Sequence, residues 1–212
     1  MEKVEIDAVP PYVGCVIATS TGGPPTLIQF FKNIQENIPA AFFIVQHGPT
    51  WMLETFAQRL QRETKLKVNI GKNGMETKVG NIYIAPGDYH MRINLENQNV
   101  ELDNGPKENF VRPAADPLFR SAAKSFGKYL VAVTLTGLGR DASQGAGIIK
   151  SAGGFVLVQD PDTAVAPSMP RTVIESGFSS KVVKLDKLAP EAIKSIKNLD
   201  SELKKAKSKN KK

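Results

Sequence analysis

The chain has 212 residues, 41% hydrophobic and 23% charged, proportions that exclude global disorder and a fibrous fold and leave room for a sizeable core. The longest apolar runs, Tyr12 to Ala18 and Ala40 to Val45, are too short to cross a bilayer, the start is no signal peptide, and Cys15 is the one cysteine, so a cytoplasmic protein without internal disulfides, not membrane-inserted, is expected. Of the net charge of +7, +5 falls on residues 201 to 212, where six lysines meet one glutamate; no basic stripe with interleaved aromatics precedes them, which argues against nucleic-acid binding.

Along the chain, Tyr12 to Ala18 reads as a strand buried on both faces, followed by Thr19-Ser-Thr-Gly-Gly23 and a helix opened by Pro24-Pro25, with Leu27, Ile28, Phe31 and Ile34 at helical spacing. The unit repeats with strand Ala41 to Val45, the loop Gln46-His-Gly-Pro49 and a helix from about Thr50 to Glu63. A short strand at Asn81 to Ile84 precedes an alternating pair, Met91 to Leu95 and Val100 to Leu102, that predicts an antiparallel hairpin. Alternation resumes with helix Pro117 to Phe126, strand Leu130 to Leu135, a helix near Gly145 to Ala152, strand Phe155 to Val158, a short helix around Arg171 to Glu175, strand Lys181 to Lys184 and a helix from Pro190. The expected fold is α/β, a doubly wound, mainly parallel sheet with helices on both faces and a small antiparallel hairpin. The expected organisation is an N-terminal extension (1–11), one domain (12–199) and a basic, disordered tail (200–212).

In such sheets ligands bind beyond the carboxyl ends of the strands. Three strand-end loops there supply a hydroxyl, an imidazole and a carboxylate: Ser20, His47 and Asp141. Serine becomes a nucleophile when a base takes its proton, and that base needs an acceptor on its other nitrogen. Ala18-Thr-Ser-Thr-Gly22 is one residue from the G-x-S-x-G elbow, and the helix that follows directs free backbone N–H groups, Thr21 among them, at the site. The same glycine-rich loop also fits a phosphate cradle or a plain tight turn. Of two histidines, His47 follows a buried strand, whereas His90, in Pro86-Gly-Asp-Tyr-His90, is expected to line the pocket or pack at its edge. For the acid, Asp141 competes with Asp88, Asp116, Asp160 and Asp162, and equally fits the cap of the next helix.

Taken together, Ser20-Thr-Gly-Gly23, Val45-Gln-His47, Ile84-Ala-Pro-Gly-Asp88 with His90-Met91, Arg112-Pro113 with Asp116, Leu135-Thr-Gly-Leu-Gly139 with Asp141, and Ser168-Met-Pro-Arg171 resemble the catalytic domain of chemotaxis receptor protein-glutamate methylesterases, the CheB family, in family order across Tyr12 to Ile196. The resemblance implies hydrolysis of glutamate methyl esters on the cytoplasmic helices of methylated chemoreceptors, with methanol released, and receptor glutamine deamidation besides. It implies Ser20, His47 and Asp141 as triad, backbone at Thr21 and Leu138 as oxyanion donors, and no metal or organic cofactor. Gly22, Gly23, His90, Arg140 and Met169 are the expected lining. The order Ser, His, Asp also separates the chain from α/β-hydrolases.

The sequence departs from the family at Ala18-Thr19, usually Gly-Ala, and at Leu138, Arg140 and Ala142, often methionine, asparagine and glycine. Thr19 adds bulk beside the nucleophile, and Arg140 is expected to pair with Asp141 in competition with the histidine. Members usually carry an N-terminal receiver domain, which this chain is expected to lack. Two other readings compete. Gly137-Leu-Gly-Arg-Asp-Ala142 fits the G-x-G-x-x-A dinucleotide fingerprint, with Asp160 as ribose ligand, and a catalytically silent receptor-binding module would keep the same fold.

Overall fold

The computed structural model describes residues 9–209. Its elements follow the predicted alternation: β1 (Val13–Thr19), α1 (Gly23–Phe31), β2 (Ala40–Gln46), α2 (Thr50–Glu63), β3 (Lys67–Ile70), β4 (Asn81–Ile84), β5 (His90–Ile93), β6 (Val100–Asp103), α3 (Ala115–Phe126), β7 (Leu130–Thr134), α4 (Ser143–Ser151), β8 (Phe155–Gln159), α5 (Ser168–Glu175), β9 (Lys181–Val183) and α6 (Leu185–Lys209). Seven strands form one sheet in the order β3-β4-β2-β1-β7-β8-β9. Every pairing in it is parallel, and β5 and β6 form the separate antiparallel hairpin.

The all-apolar central strands explain the layering. Alternate residues of β1 point to opposite faces: Val13, Cys15 and Ile17 pack with α1, α2 and α6, while Val16 and Ala18 pack with α3, α4, α5 and the hairpin. A strand with both faces covered is apolar wherever no partner waits for a polar side chain, and β1 and β2, buried throughout, are apolar up to Thr19 and Gln46 at their carboxyl ends. Thr19 pairs with Gln46 and Ala18 with Thr134. The chain leaves β1 toward β2 on one side and meets β7 on the other, so the switch in strand order opens at the carboxyl end of β1.

Three differences from expectation have physical causes. The short edge strand β3 was not anticipated, since Lys67-Val-Asn-Ile70 is exposed or half-buried and carries no apolar run. The last helix starts at Leu185, ahead of Pro190, because Leu188 is buried in the core. The expected disordered tail is helical through Lys209, the remainder lying outside the described residues. Leu203, 1% exposed, docks that turn onto the sheet, and Lys204, Lys205 and Lys209 stand exposed on its outer face. Of the expected N-terminal extension, residues 1–8 lie outside the described ones.

Candidate active site

Ser20 and His47 follow paired positions of adjacent strands, and the backbone carries the pairing one step further: His47 N donates to Thr19 O (3.2 Å) and Ser20 N to Thr136 O (3.0 Å). The side chain of Gln46, 2% exposed, clamps both residues, its Nε2 donating to Ser20 O (3.1 Å) and His47 O (2.8 Å). Thr136 locks the third side. Its Oγ1 donates to Thr21 O (2.8 Å) and accepts from Ala166 N (2.9 Å), and its carbonyl also accepts from Thr19 Oγ1 (2.8 Å). Thr19 is thus fully buried and tied to the β7 loop, with its hydroxyl turned to backbone.

His47 and Asp141 meet directly, Nε2 to Oδ2 at 2.7 Å. Asp141 is 1% exposed and accepts four further bonds, from Ala115 N (2.6 Å) on Oδ2 and from Asp116 N (3.1 Å), Asn109 Nδ2 (3.0 Å) and Ala142 N (2.9 Å) on Oδ1. Burial disfavours its ionised form, but the bond and charge of His47 and the N–H groups of Ala115 and Asp116 outweigh that and hold the carboxyl below its ordinary range. An ionised carboxylate can only accept, so Nε2 carries the proton and Nδ1 keeps the free lone pair. Beside Asp141 lies a second buried carboxylate, Asp116. Its burial, and then the charge of Asp141, push it up to about 6, against the opposing pull of Gly145 N–H, Asn109 and Arg120. Asn109 Nδ2 bridges the two acids, reaching Asp116 Oδ2 at 2.9 Å.

Among the described residues the Ser20 hydroxyl has no hydrogen-bond partner, and the N–H groups of Thr21 and Leu138 have no acceptor. Gly137 explains why a glycine follows Thr136: a Cβ there would stand 2.9 Å from Ser20 Cβ and 2.2 Å from Met169 Sδ. Gly22, at φ 80, makes the turn into α1 in a left-handed conformation that other residues rarely adopt. A half-buried hydroxyl, an imidazole anchored by an ionised carboxylate and unused backbone donors are the parts needed for acyl transfer through a serine ester.

Four lining expectations need correction or refinement. His90 is 1% exposed and structural: Nε2 bonds Pro106 O (3.0 Å) and Nδ1 accepts from Ala114 N (3.1 Å), fixing the start of α3 whose N–H groups hold Asp141. Met169 is fully buried behind Gly137, and Gly23 is buried against Gln46 and Thr19, so neither lines an open pocket. Arg140 is exposed and forms no ion pair with Asp141 among the described residues, because the carboxylate is already saturated. Sequence reasoning gave no role to Gln46, Thr136 and Asn109, and placed Asp116 as a rival acid and as part of the family pattern. Gln46 next to His47 was the available signal; Asn109 gave none, being far from Asp141 in the chain.

The glycine loop of the dinucleotide reading is otherwise engaged. Gly137 N donates to Ala166 O (2.8 Å) and Gly139 N to Ser168 Oγ (2.9 Å), while Asp160 accepts from Asp162 N (3.1 Å) in its own turn. Among the described residues no group of three or more His, Cys, Asp or Glu is placed to hold a metal ion, and no helix is long and apolar enough to cross a membrane.

Comparisons with known proteins point to one family. A family model described as CheB methylesterase matches residues 15–192. The chain is 39% identical over 191 residues to a protein-glutamate methylesterase/protein-glutamine glutaminase of Pyrococcus abyssi, covering 89% of this chain and 52% of that protein. It is 38% identical over 187 residues to protein-glutamate methylesterase/protein-glutamine glutaminase 2 of Caulobacter vibrioides, covering 87% and 54%. The chain thus spans about half the length of the curated relatives it matches. The crystal structure of the Thermotoga maritima CheB methylesterase catalytic domain superimposes with a TM-score of 0.84 at 37% identity, covering 86% of this chain and 98% of that one.

Proposed function

The chain belongs to the CheB methylesterase family, and on that premise we propose that its domain, about 12–199 extended by the rest of α6, hydrolyses glutamate methyl esters on the cytoplasmic helices of methylated chemoreceptors. The observation that carries the reading is the His47–Asp141 pair, 2.7 Å apart and saturated with donors, beside the unpartnered hydroxyl of Ser20. Receptor glutamine is the second substrate, in line with the double name of the relatives. The reaction takes place in the cytoplasm, where those receptor helices lie.

In this reading Ser20 Oγ attacks the ester carbonyl while His47 Nδ1 takes its proton. The carbonyl oxygen becomes an oxyanion facing the N–H groups of Thr21 and Leu138. Collapse breaks the C–O bond to the methoxy group, which leaves as methanol with the proton from His47, and the glutamyl group remains esterified to Ser20. Water, deprotonated by His47, then attacks that ester; the Ser20 oxygen recovers its proton and the receptor glutamate is released. With glutamine the leaving group is ammonia. Asp141 keeps the proton on Nε2 throughout, so Nδ1 is the nitrogen that works.

Two measurements test this. A fluorophosphonate labels Ser20 in the unmodified chain and not in His47→Ala, and methylated receptor releases methanol. Labelling without methanol release would direct the same chemistry to another ester or amide; tight NADH binding without labelling would sink the hydrolase reading.

A further inference from the structure

Eight large hydrophobic side chains stand exposed among the described residues: Trp51, Val79, Tyr89, Leu95, Phe110, Leu138, Val165 and Val182. Four of them are close in the chain to residues of the site or touch its loop. Leu138, 61% exposed, follows Gly137, whose Cβ position abuts Ser20. Val165, 72% exposed, has its Cβ 2.7 Å from the Cβ position of Gly22, two residues past Ser20. Trp51, 70% exposed, stands at the start of α2, four residues past His47. Phe110, 92% exposed, adjoins Asn109, whose amide holds Asp141.

Phe110 is the most telling of these. It and Asn109 are consecutive non-glycine residues with positive φ, 66 and 51, a conformation that a bulky residue keeps only when its surroundings impose it. Those surroundings are the Asn109 bonds to the two carboxylates and the Glu108–Arg120 pair at 2.6 Å. The aromatic ring is therefore held in solvent by the same loop that clamps the triad acid. Apolar side chains gathered around one locus of a surface mark contact with a partner.

We propose that Phe110, Leu138, Val165 and Trp51 form an apolar collar around Ser20 that receives the flanks of the helix bearing the glutamate methyl ester. The proposal rests on the ester-hydrolase reading and names the occupant by continuity with its site. A glutamyl side chain that reaches Ser20 brings its own backbone to the level of the collar. On a helix, residues three and four positions before and after that glutamate share its face. Apolar side chains at those positions meet Phe110 on the Asp141 side, Trp51 on the His47 side, and Leu138 and Val165 beside the nucleophile. A free small ester engages none of these contacts.

The test compares kcat/KM for a methylated receptor fragment with kcat/KM for a small soluble γ-methyl glutamate ester. Phe110→Ala lowers the receptor-to-small-ester ratio about tenfold, through KM, the scale of one well-placed interface anchor. Val165→Ser lowers it in the same direction, a second route should Phe110→Ala disturb its loop. Leu95→Ala, equally apolar and exposed but in the β5–β6 turn, leaves the ratio unchanged. A ratio within twofold of the parent in both collar variants, with receptor hydrolysis intact, overturns the collar alone. A concentration-dependent dimer lost in Phe110→Ala at constant ratio assigns the patch to a second copy and likewise overturns it. Absence of hydrolysis of either ester, with no labelling of Ser20, overturns the enzymatic reading and the collar with it.

Discussion

His47 and Asp141 form a pair in which each hydrogen bond has a consequence that a single substitution exposes. Asp141→Asn replaces an acceptor by a group that can donate, so the proton shifts off Nε2 and Nδ1 loses its lone pair; kcat for methanol release falls about 10⁴-fold, as in serine proteases. Ser20→Ala abolishes turnover and leaves the fold intact, measured by circular dichroism beside the assay. Near-normal activity of either variant would end the triad assignment. Gln46→Leu tests the clamp: the carbonyls of Ser20 and His47 lose their donor, and urea unfolding registers a loss of about 1–3 kcal/mol with reduced activity. Asp141 was the residue least secured by sequence, because Asp88, Asp116, Asp160 and Asp162 offered the same carboxylate. Of the five donors converging on it, the four from α3, the Asn109 loop and His47 are a tertiary fact, and only Ala142 N is its neighbour in the chain.

At the scale of elements, the loop between β7 and α4 is built by exclusion. Gly137→Ala puts a methyl group against Ser20 Cβ and Met169 Sδ; the thioether can swing away, but a Cβ moves only with its backbone, which is tied to Thr136 O. The displacement lowers kcat about 10²-fold with little change in KM, and unchanged steady-state kinetics would contradict it. The end of α6 offers a test of the opposite sort. Leu203 is buried among the core residues of the α1 face, so Leu203→Ala costs about 2–4 kcal/mol in thermal or urea unfolding, whereas a solvated tail would lose nothing. Composition misled there: a run of Lys with Ser and Asn reads as disorder, yet Leu199, Leu203 and Ala206 recur at helical spacing beneath it. The β3 strand escaped notice for the related reason that an edge strand needs only one apolar side, and four residues do not make a pattern.

For the molecule as a whole, the two buried carboxylates set opposite pH dependences of stability. Asp116 titrates near 6 when folded and near the ordinary carboxyl value of about 3.9 when unfolded, so between those values the folded state binds the extra proton. Its contribution is fully present at low pH, declines as pH rises through that window and is lost above 6. Asp141, held low, contributes above the ordinary carboxyl range and loses that contribution as pH falls through its folded value. Relative to the parent, Asp116→Asn therefore removes a gain of about 1 kcal/mol on acidification from pH 7 to 5, checked by unfolding both chains at the two pH values; parallel profiles would refute it. The alternation of buried strands with amphipathic helices determined the parallel sheet by itself, since apolar periodicity is a local property and a strand–helix–strand unit returns the chain right-handed to the same sheet. With the sheet came the strand ends where Ser20 and His47 stand. Which carboxylate meets His47 and what holds it ionised were decided only by tertiary structure. Those depend on groups far apart in the chain, brought within hydrogen-bond distance by packing, and a bond between distant residues leaves no periodicity in sequence.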